Sequence, residues 1–532
     1  MSLQALFDQA VKLHENGAFA QAQQLYQQII TAQPGAYQPH YLLALARFQQ
    51  GHFAGADTAL SAALKLNPDS VEALALRGVV LRALWRHDEA LASFDRALEL
   101  KPDHGEAWFT RGMLLLELRR FEDAIASFDR TLALNPNWLE AWNNRGVALH
   151  PLRRFEEEVK AYDQALALNP AYARSWHNRS GALQSLLRFE EAIASCDKAI
   201  AIVPDYVDAW TARAINLQCL ERFDEALATV EKALSFHPDN VMAMFTKAEI
   251  LCEMDRLEEG MAVYRKRAEL VYPPKAADEP GPAHQQRHDE EQRVWLAARG
   301  VNPGNLYFMG GERLPGPAVN PRNAQDIAEQ WARNKPQIVV IDNLLTSGAL
   351  EALRRFCWGS KVWRRPYADG YMGAMPEAGF AAPLLAQIAE ELKCTFPTLL
   401  DGHGLNMFWG FKYDSSLTGI RIHADKAAVN INFWITPDEA NNDPEHGGLV
   451  VWDAAAPADW DVTQYNGDEK AARDFLAGLG AKPVTVPYRA NRAVIFDSDL
   501  FHETDVIDFK PGYENRRINI TMLYGRRTQS GK

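Results

Sequence analysis

The first half of the chain carries a strict period in its apolar and polar positions. Apolar residues recur at helical spacing in pairs of short segments, and a proline follows each pair at an interval of 34 residues. The prolines of this series are Pro34, Pro68, Pro102, Pro136, Pro170, Pro204 and Pro238. Because proline cannot continue a helix, each one marks the link between two helix pairs. The pattern predicts a helical repeat over residues 3–238, with a weaker eighth unit that runs to residue 272.

Small and aromatic residues keep fixed places within this period. Glycine recurs in the first helix of a pair, alanine recurs at one site of the second helix, and large aromatic residues recur in both. The members of these series are Gly78, Gly112 and Gly146; Ala22, Ala56, Ala90, Ala124, Ala192 and Ala226; Trp108, Trp142, Trp176 and Trp210; and Tyr26, Phe94, Phe128 and Tyr162. Glu158 takes the alanine site once, and Ser180 and Ala214 replace glycine. Since the tryptophans follow the period, we interpret them as core residues rather than as platforms for a ligand.

This arrangement resembles the tetratricopeptide repeat, which is also 34 residues long and has these small and aromatic positions. One helix pair cannot bury its apolar face alone, so the resemblance implies an all-α superhelix with a groove that binds a protein or peptide partner.

Asn144 and Asn178 share one position of the period. They resemble the asparagine ladder with which protein-modifying glycosyltransferases hold a peptide backbone, because a primary amide both donates and accepts hydrogen bonds. The alternative is a solvated polar helix face.

The second half of the chain loses this period. Proline and glycine clusters punctuate a connector over residues 273–334, and residues 335–532 form a predicted second domain of short alternating segments. Helices are predicted at 288–299, 323–333, 347–358 and 381–393, and strands at 337–342, 405–414, 418–424, 428–436, 448–453, 483–488, 492–497 and 516–524. Short strands at this density are typical of a sandwich or jelly roll. The domains therefore expected are 1–272, the connector 273–334, and 335–532.

Composition and charge narrow the class of protein. The chain has 532 residues, which is too long for one core, and its net charge is −13. An acidic chain disfavours general binding to nucleic acid or to acidic membranes, since both need a basic surface. No apolar run reaches the roughly 20 residues of a membrane span, and the start of the chain lacks the pattern of a secretory signal. The five cysteines form no CxxC pair, which is typical of reduced intracellular thiols, so we expect a cytoplasmic protein.

Three residues among the predicted strands form a candidate metal site. His423 and Asp425 are two residues apart, so alternation puts both side chains on one side of an extended chain. His502 follows a buried strand and is expected in a loop. Two histidines and one carboxylate on one face of a metal leave its other positions open, which is the arrangement of non-haem iron(II) oxygenases. The rival histidines His446 and His403 are interpreted as ordinary turn or surface residues.

The motifs around these residues resemble those of the 2-oxoglutarate-dependent oxygenases, especially the prolyl hydroxylase branch. An opening strand and turn, the strand of His423, a glycine pair, the strand before His502 and an arginine strand follow one another in the order of that family. The corresponding segments are Ile338 to Leu345, Ile420 to Asp425, His446 to Val451, Ala493 to His502 and Arg516 to Asn519, with a long insert at 454–482. The resemblance implies a double-stranded β-helix, or jelly roll, with flanking helices.

The same resemblance implies the cofactors and the chemistry of the site. Iron(II) is held by His423, Asp425 and His502. The co-substrate 2-oxoglutarate is decarboxylated to succinate while dioxygen is consumed and a substrate is hydroxylated. A basic residue holds the distal carboxylate of 2-oxoglutarate, and arginine can do so with two parallel hydrogen bonds. Tyr413 and Asn432 are candidates for the same pocket, with ordinary strand residues as the alternative for both.

Strand alternation separates two adjacent arginines. Arg517, Asn519 and Thr521 share one face of the last predicted strand, and that polar face suits a pocket for a dicarboxylate. The opposite, apolar face holds Ile518, Ile520, Met522 and Tyr524, and is expected to pack under the helices at 347–358 and 381–393. We therefore predict that Arg517 binds 2-oxoglutarate and that Arg516 is solvated or lies at an interface. Asn519 stands where the family commonly has serine, and is a candidate second contact.

Only analogy with known enzymes suggests which class of substrate the protein would hydroxylate. Several collagen-modifying hydroxylases and the aspartyl/asparaginyl hydroxylase also join such helices to an oxygenase domain, so the chain resembles a hydroxylase of protein or peptide side chains, with proline as the first guess. A second hypothesis is a small-molecule hydroxylase whose repeats serve assembly, and a third is a non-catalytic repeat scaffold. The intact set of His423, Asp425, His502 and Arg517 opposes the third hypothesis. The sequence does not separate the first two.

Overall fold

The computed structural model describes residues 2–272, 281–302, 308–367, 370–414, 419–425, 427–457, 460 and 462–526. Parts of the predicted connector 273–334 and of the predicted insert 454–482 lie outside the described residues. Packing divides the chain into two compact units, Met1–Asn216 and Leu217–Lys532. Among the described residues, no helix is both long and apolar enough to cross a lipid bilayer.

Paired helices make up the described chain as far as residue 271. They are α1 (Leu3–Glu15), α2 (Phe19–Ala32), α3 (Tyr37–Gln49), α4 (Phe53–Leu66), α5 (Val71–Ala83), α6 (His87–Leu100), α7 (Gly105–Glu117), α8 (Phe121–Leu134), α9 (Leu139–Leu149), α10 (Phe155–Leu168), α11 (Ala173–Ser185), α12 (Phe189–Ile202), α13 (Val207–Cys219), α14 (Phe223–Phe236), α15 (Val241–Glu253) and α16 (Leu257–Val271). Each proline of the periodic series lies two residues beyond the end of a second helix. The predicted helical repeat is confirmed.

Close approach of aromatic rings explains the small residues of the period. The distances from a Cβ built on the glycine to the nearest ring carbon are 2.5 Å for Gly78 and Phe94, 2.7 Å for Gly112 and Phe128, and 2.5 Å for Gly146 and Tyr162. In each case the ring belongs to the residue 16 positions later. At the two replacements Ser180 and Ala214 that later residue is smaller: Ser180 is matched by Cys196, and Ala214 by Val230. At these two sites the larger first residue and the smaller second one compensate each other in volume.

Gly112→Ala is expected to destabilise the array of helices. The added Cβ would overlap the ring of Phe128, and overpacking of this kind costs about 1–3 kcal/mol of the free energy of unfolding. Gly181→Ala is the matched control, because a Cβ on Gly181 in α11 has nothing within 4 Å. The control should be neutral or slightly stabilising, since alanine favours the helix by roughly 0.5–1 kcal/mol over glycine. Thermal melts followed by far-ultraviolet circular dichroism compare the two, and equal melting temperatures would contradict this account of the period.

The periodic tryptophans link successive helix pairs. Each half-buried indole donates a hydrogen bond from Nε1 to the carbonyl oxygen of the proline six residues earlier. The distances are 2.9 Å for Trp108 and Pro102, 2.8 Å for Trp142 and Pro136, 2.9 Å for Trp176 and Pro170, and 2.8 Å for Trp210 and Pro204. The indole N–H groups thus form hydrogen bonds within the repeat, which agrees with the interpretation that the tryptophans are structural and not platforms for a ligand.

Glu158, the departure from the alanine series, is a buried carboxylate with its own partners. Its Oε2 lies 3.0 Å from Nδ1 of His150, and the hydroxyl of Tyr162 donates to Oε1 at 3.3 Å. The hydrogen bond to Glu158 raises the pKa of His150, outweighing the opposite effect of partial burial. The raised pKa favours the protonated form of His150, which compensates the buried carboxylate that replaces alanine.

Two antiparallel sheets form the centre of the C-terminal unit. Their strands are β1 (Ile338–Ile341), β2 (Trp363–Pro366), β3 (Met372–Ala374), β4 (Leu405–Lys412), β5 (Val429–Trp434), β6 (Leu449–Ala455), β7 (Pro483–Val486), β8 (Ala493–Asp497), β9 (Leu500–Thr504) and β10 (Ile518–Tyr524). One sheet has the order β1-β8-β5-β10-β4-β3-β2, and the other has the order β7-β6-β9. The chain passes from the larger sheet to the smaller one between β8 and β9, which are separated by a short turn.

Helices cover one face of the larger sheet. The helices of this part of the chain are α17 (Ala283–Ala297), α18 (Ala324–Arg333), α19 (Ser347–Gly359), α20 (Pro383–Thr395), α21 (Pro397–Leu400), α22 (Val462–Gly467) and α23 (Glu469–Leu479). Buried residues of α19 and α20 share one hydrophobic core with the apolar side of β10. The β10 residues in that core are Ile518, Ile520, Met522 and Tyr524. Strand alternation had predicted this set, and the other face of β10 is left for polar residues.

Three local differences separate the predicted strands from the observed ones. Within 418–424, residue 418 lies outside the described residues, and the remainder forms no strand but a single bridge between His423 and His502. His502 lies within β9 rather than in a loop, so that expectation is wrong. The short strands β2 and β3 were not predicted. They have three or four residues each, which is too short for alternation to be recognised.

The last helix pair belongs to the core of the C-terminal unit. Buried residues of α15 and α16 share the hydrophobic core that contains α19, α20 and β10. The ring centroid of Tyr264 lies 6.3 Å from that of Phe408 on β4, and Nε of Arg265 donates to the carbonyl oxygen of Ala381 at 2.9 Å. The predicted boundary at residue 272 thus marks the end of the repeat in the sequence, while the compact units divide after residue 216.

Candidate metal centre

The three candidate ligands come together where the chain passes between the two sheets. His423 and His502 form an antiparallel bridge, with N–O distances of 3.0 and 2.8 Å between their backbones. The backbone N–H of Asp425 donates to the carbonyl oxygen of Ser498 in the turn between β8 and β9, at 3.1 Å. One ligand atom from each of the three side chains lies within 4.8 Å of the others. Among the described residues, this is the one group of histidine, cysteine and acidic side chains with that geometry.

Backbone carbonyl groups orient both imidazoles. Nδ1 of His423 lies 2.8 Å from the carbonyl oxygen of Arg421, and Nδ1 of His502 lies 3.0 Å from that of Leu500. Each Nδ1 therefore carries the proton as donor, which leaves Nε2 as the free acceptor nitrogen. Nε2 of His423 lies 4.0 Å from Oδ1 of Asp425, and Nε2 of His502 lies 3.3 Å from Oδ2. Two lone pairs and a carboxylate thus converge on one small volume.

Burial sets the charge state of this cluster. Burial, reinforced by the neighbouring imidazole of His502, lowers the pKa of His423 to about 4. Burial by itself would raise the pKa of Asp425, but the contact with His502, the positive charge that either imidazole carries when protonated, and the hydrogen bond from Asn430 hold it below its usual value. A neutral imidazole beside a carboxylate ion is the protonation state that a divalent metal ion requires.

A pocket leads from these side chains to Arg517. Besides the three candidate ligands, its lining includes Trp409, Phe411, Ile420, Asn432, Leu449, Thr504, Arg517, Asn519 and Thr521. Nε of Arg517 donates to the carbonyl oxygen of Gly447 at 2.6 Å, and Nη2 donates to that of Gly448 at 3.0 Å. Nη1 is buried and has no hydrogen-bond partner among the described residues. A buried guanidinium with one nitrogen unengaged favours an anionic ligand.

Aromatic residues surround the guanidinium of Arg517. Its central carbon lies 4.9 Å from the ring centroid of Tyr413 and 5.7 Å from that of Trp434. The buried hydroxyl of Tyr413 also has no hydrogen-bond partner among the described residues. Burial lowers the pKa of Arg517 below its usual range, so an anion in the pocket would offset an unfavourable desolvation of the cation. Tyr413, predicted from the sequence, therefore lies beside Arg517.

Asn432 and Asn519 lie side by side in the wall of the pocket. Nδ2 of Asn519 donates to Oδ1 of Asn432 at 2.7 Å and to Oγ1 of Thr521 at 3.1 Å. Both amide hydrogens of Asn519 are thereby engaged, and its Oδ1 has no partner among the described residues. Asn519 can therefore accept a hydrogen bond from a ligand but has no hydrogen left to donate.

Arg516 points to the other side of the strand, where its Nε donates to Oε2 of Glu291 at 2.9 Å. It is buried against α17, which agrees with the second of the two roles predicted for it, at an interface, and not with the solvated one.

Comparison with known proteins identifies the helical repeats. The model of the tetratricopeptide repeat family matches residues 41–105, 109–173 and 153–207. Together with the helix pairs and the period, this match decides the matter. The N-terminal helices are a tetratricopeptide repeat array. The match ends before the residues of the pocket, and the comparison with curated proteins returned no match.

Solved structures of tetratricopeptide repeat proteins resemble parts of the chain at low identity. YrrB, titled a TPR protein with an unusual peptide-binding site, has 23% identity and a TM-score of 0.33, over 35% of this chain and 97% of that one. A repeat protein from Parabacteroides merdae has 17% identity and a TM-score of 0.36, over 46% and 97%. The C-terminal part of a repeat protein from Cytophaga hutchinsonii has 14% identity and a TM-score of 0.41, over 45% and 98%.

Asn144 and Asn178 lie on α9 and α11 of the tetratricopeptide repeat array, and both are half-buried. Nδ2 of Asn144 approaches Sδ of Met113 at 3.1 Å, and Nδ2 of Asn178 donates to Oδ1 of Asn143 at 3.3 Å. Asn143 is itself buried and accepts from Ser175 at 3.0 Å. The two predicted ladder residues therefore make contacts within the array, and their role as a ladder for a peptide stays a prediction.

Sequence reasoning missed residues in the pocket and beside it. Asn430 donates to Asp425, and it lies on the same face of β5 as Asn432, so alternation applied from Asn432 would have found it. Trp409 lines the pocket with a buried Nε1 that has no partner among the described residues, but an isolated tryptophan in a strand carries no signal of that role. His446 lies outside the cluster, and its Nδ1 is 3.1 Å from Oδ2 of Asp505.

Proposed function

We propose that the C-terminal unit is an iron(II)- and 2-oxoglutarate-dependent oxygenase that hydroxylates a protein or peptide side chain docked on the tetratricopeptide repeat array. The observation that carries the proposal is the buried group of His423, Asp425 and His502 in a pocket that also contains Arg517. Proline is the first candidate for the hydroxylated residue, on the resemblance to prolyl hydroxylases alone. The array by itself supports a role in protein interaction.

The donor set fits iron(II). Two imidazole nitrogens and one carboxylate, with ligand atoms within 4.8 Å of one another, would hold iron(II) and leave positions for a co-substrate and dioxygen. Backbone carbonyls that hold the opposite imidazole nitrogens are the usual support of such ligands. When bound, iron(II) and 2-oxoglutarate together supply the activation of dioxygen needed to hydroxylate an unactivated C–H bond.

The remaining pocket residues suit the orientation of 2-oxoglutarate. The backbone oxygens of Gly447 and Gly448 engage two nitrogens of Arg517, so its Nη1 is the nitrogen with both hydrogens available. We therefore expect Nη1 and the hydroxyl of Tyr413 to share the distal carboxylate, in place of a grip by two arginine nitrogens. Asn519 is not suited to contact that carboxylate, because its remaining oxygen only accepts hydrogen bonds.

The two sheets are compatible with a double-stranded β-helix, the jelly roll of this enzyme class. The larger and smaller antiparallel sheets contribute different ligands: His502 comes from β9 of the smaller sheet, while Asp425 is held by the turn that leaves β8 of the larger one. Apolar side chains of Phe411, Ile420 and Leu449 line the pocket between them and exclude water from the reacting groups.

A small-molecule hydroxylase is the second candidate, and a non-catalytic scaffold is the third. A succinate-release assay of the full chain with iron(II) and 2-oxoglutarate, over a panel of proline-containing peptides and small metabolites, separates all three. We expect peptides to stimulate release above the uncoupled rate. Stimulation by metabolites alone would favour the second candidate. Binding of peptides without any turnover of 2-oxoglutarate would favour the non-catalytic scaffold and reject an enzymatic function.

The repeat array is tested in the same assay with the double variant N144A/N178A. Loss of two neutral hydrogen bonds to a peptide backbone is expected to weaken substrate binding by about 1–2 kcal/mol. The uncoupled turnover of 2-oxoglutarate should not change, because neither residue belongs to the C-terminal unit. An unchanged KM for the peptide would reject the role of these asparagines while leaving the oxygenase proposal in place.

A further inference from the structure

A chain of hydrogen-bonded amides runs from Asp425 into the larger sheet. Nδ2 of Asn430 donates to Oδ2 of Asp425, Nδ2 of Asn432 donates to Oδ1 of Asn430, and Nδ2 of Asn519 donates to Oδ1 of Asn432. Each of the three distances is 2.7 Å. All four side chains are buried. We call Asn430, Asn432 and Asn519 the asparagine relay.

The carboxylate of Asp425 sets the direction of the asparagine relay. An ionised carboxylate only accepts hydrogen bonds, so Asn430 must present its NH2 group to Asp425. Its carbonyl oxygen then accepts from Asn432, whose oxygen accepts in turn from Asn519. Thr521 donates to the same oxygen of Asn432 at 2.9 Å. Every donor of the relay thus points toward the candidate metal ligand, and no amide can rotate without breaking two hydrogen bonds.

The asparagine relay stands on β5 and β10, two inner strands of the larger sheet. Asn430 lies on β5, where it pairs with Phe496 of β8 on one side and Leu523 of β10 on the other. Asp425 itself lies outside any strand, four residues before β5. Its backbone is tied by one hydrogen bond to Ser498, which leaves the plane of its carboxylate to be set by side-chain contacts. Rigid supporting contacts are what a metal ligand on an irregular segment needs.

We propose that Asn430 is a positioning residue of the metal centre, which fixes the carboxylate plane of Asp425 between the two imidazoles and is itself held by Asn432 and Asn519. This inference rests on the proposed function only in that the three ligands must bind a divalent metal ion. Asn430 does not line the pocket, so it acts through Asp425 and not on the substrate. Contacts of this kind change metal affinity by roughly 10- to 100-fold when they are removed.

The test is an anaerobic titration of the full chain with Co(II), whose visible absorption reports the arrangement of its ligands. N430A and the nearly isosteric N430L both remove the donor, the second without leaving a large cavity. Both are expected to weaken Co(II) binding at least about tenfold and to alter the visible absorption of the bound ion. N491G is the matched control. Asn491 is also buried and bonds the backbone of Leu345 twice at 2.8 Å, and its positive φ of 61° suits glycine.

The control separates a positioning role from a loss of stability. Thermal melts of the three variants are compared with their Co(II) affinities. N491G should lower the melting temperature while the affinity and the absorption stay as in the unmodified chain. Co(II) binding by N430A and N430L with unchanged affinity and absorption would overturn the role of Asn430 and leave the metal centre standing. Failure of the unmodified chain to bind Co(II) would instead overturn the metal centre and this inference with it.

Discussion

Replacement of His423, Asp425 or His502 by alanine is expected to abolish turnover of 2-oxoglutarate. Each change removes one of three converging ligand atoms, and the part of the chain that the structure describes adds no fourth histidine, cysteine or acidic side chain to this group. Because the three side chains lie together in a small buried volume, the loss affects both the affinity for iron and its geometry. The measurements are the iron content of each purified variant and oxygen uptake that depends on 2-oxoglutarate.

His446→Ala is the matched control for these three variants. His446 also lies near a carboxylate, with Nδ1 at 3.1 Å from Asp505, but it stands outside the cluster and is about half exposed. The control should retain the iron content and the oxygen uptake of the unmodified chain. Oxygen uptake at the unmodified rate in any of the three ligand variants would refute the assignment of the metal centre.

Arg517→Ala is expected to weaken the binding of 2-oxoglutarate by roughly 10- to 100-fold, the range for loss of a hydrogen bond to a charged group. Among the described residues, Arg517 is the cationic side chain that lines the pocket, and its buried Nη1 has no hydrogen-bond partner. An anaerobic titration of the iron-loaded chain with 2-oxoglutarate, followed by the absorption of the iron chelate, measures the affinity.

Arg516→Ala provides the neighbouring control, with a different expected result. Arg516 is paired with Glu291 of α17, on the opposite side of β10 from the pocket. Its removal should lower the melting temperature of the C-terminal unit, because a partly buried carboxylate loses its partner, but leave the affinity for 2-oxoglutarate unchanged. Loss of affinity in Arg516→Ala and not in Arg517→Ala would reverse the assignment of the two faces of β10.

Periodicity was sufficient to predict the repeat and the last strand. In β10 one face is fully apolar, so a shift of one residue would have placed four large side chains in the pocket and Arg517 in the core. The repeat is equally constrained, because Gly112 has no room for a side chain beside Phe128. In β10 and in the repeat, the spacing of a residue from its neighbours in the sequence largely decides whether its side chain is buried.

Contacts between distant segments could not be read from spacing. Residues 419–424 alternate like a strand, but a strand also requires a ladder of paired residues along its length, and here His423 forms an isolated bridge with His502. The carbonyl oxygens of Gly447 and Gly448 engage two nitrogens of Arg517 across some 70 residues of sequence. Backbone carbonyl oxygens that accept hydrogen bonds have no sequence signature. From the sequence alone we therefore expected two nitrogens of Arg517 to bind the co-substrate, and only the fold gave a reason to revise that expectation.

The shared core of the last helix pair has a consequence for how the chain can be divided. A solenoid normally needs a terminal repeat with a polar outer surface, since its final apolar face would otherwise be exposed to water. Here that face of α15 and α16 is buried within the C-terminal unit to which both helices belong, where Ala248, Leu257 and Tyr264 are buried, and Arg526 forms an ion pair with Glu253 at 2.8 Å. The sheets and helices that follow thus cover the apolar face of the last helix pair. A truncation after residue 272 would leave two exposed apolar surfaces.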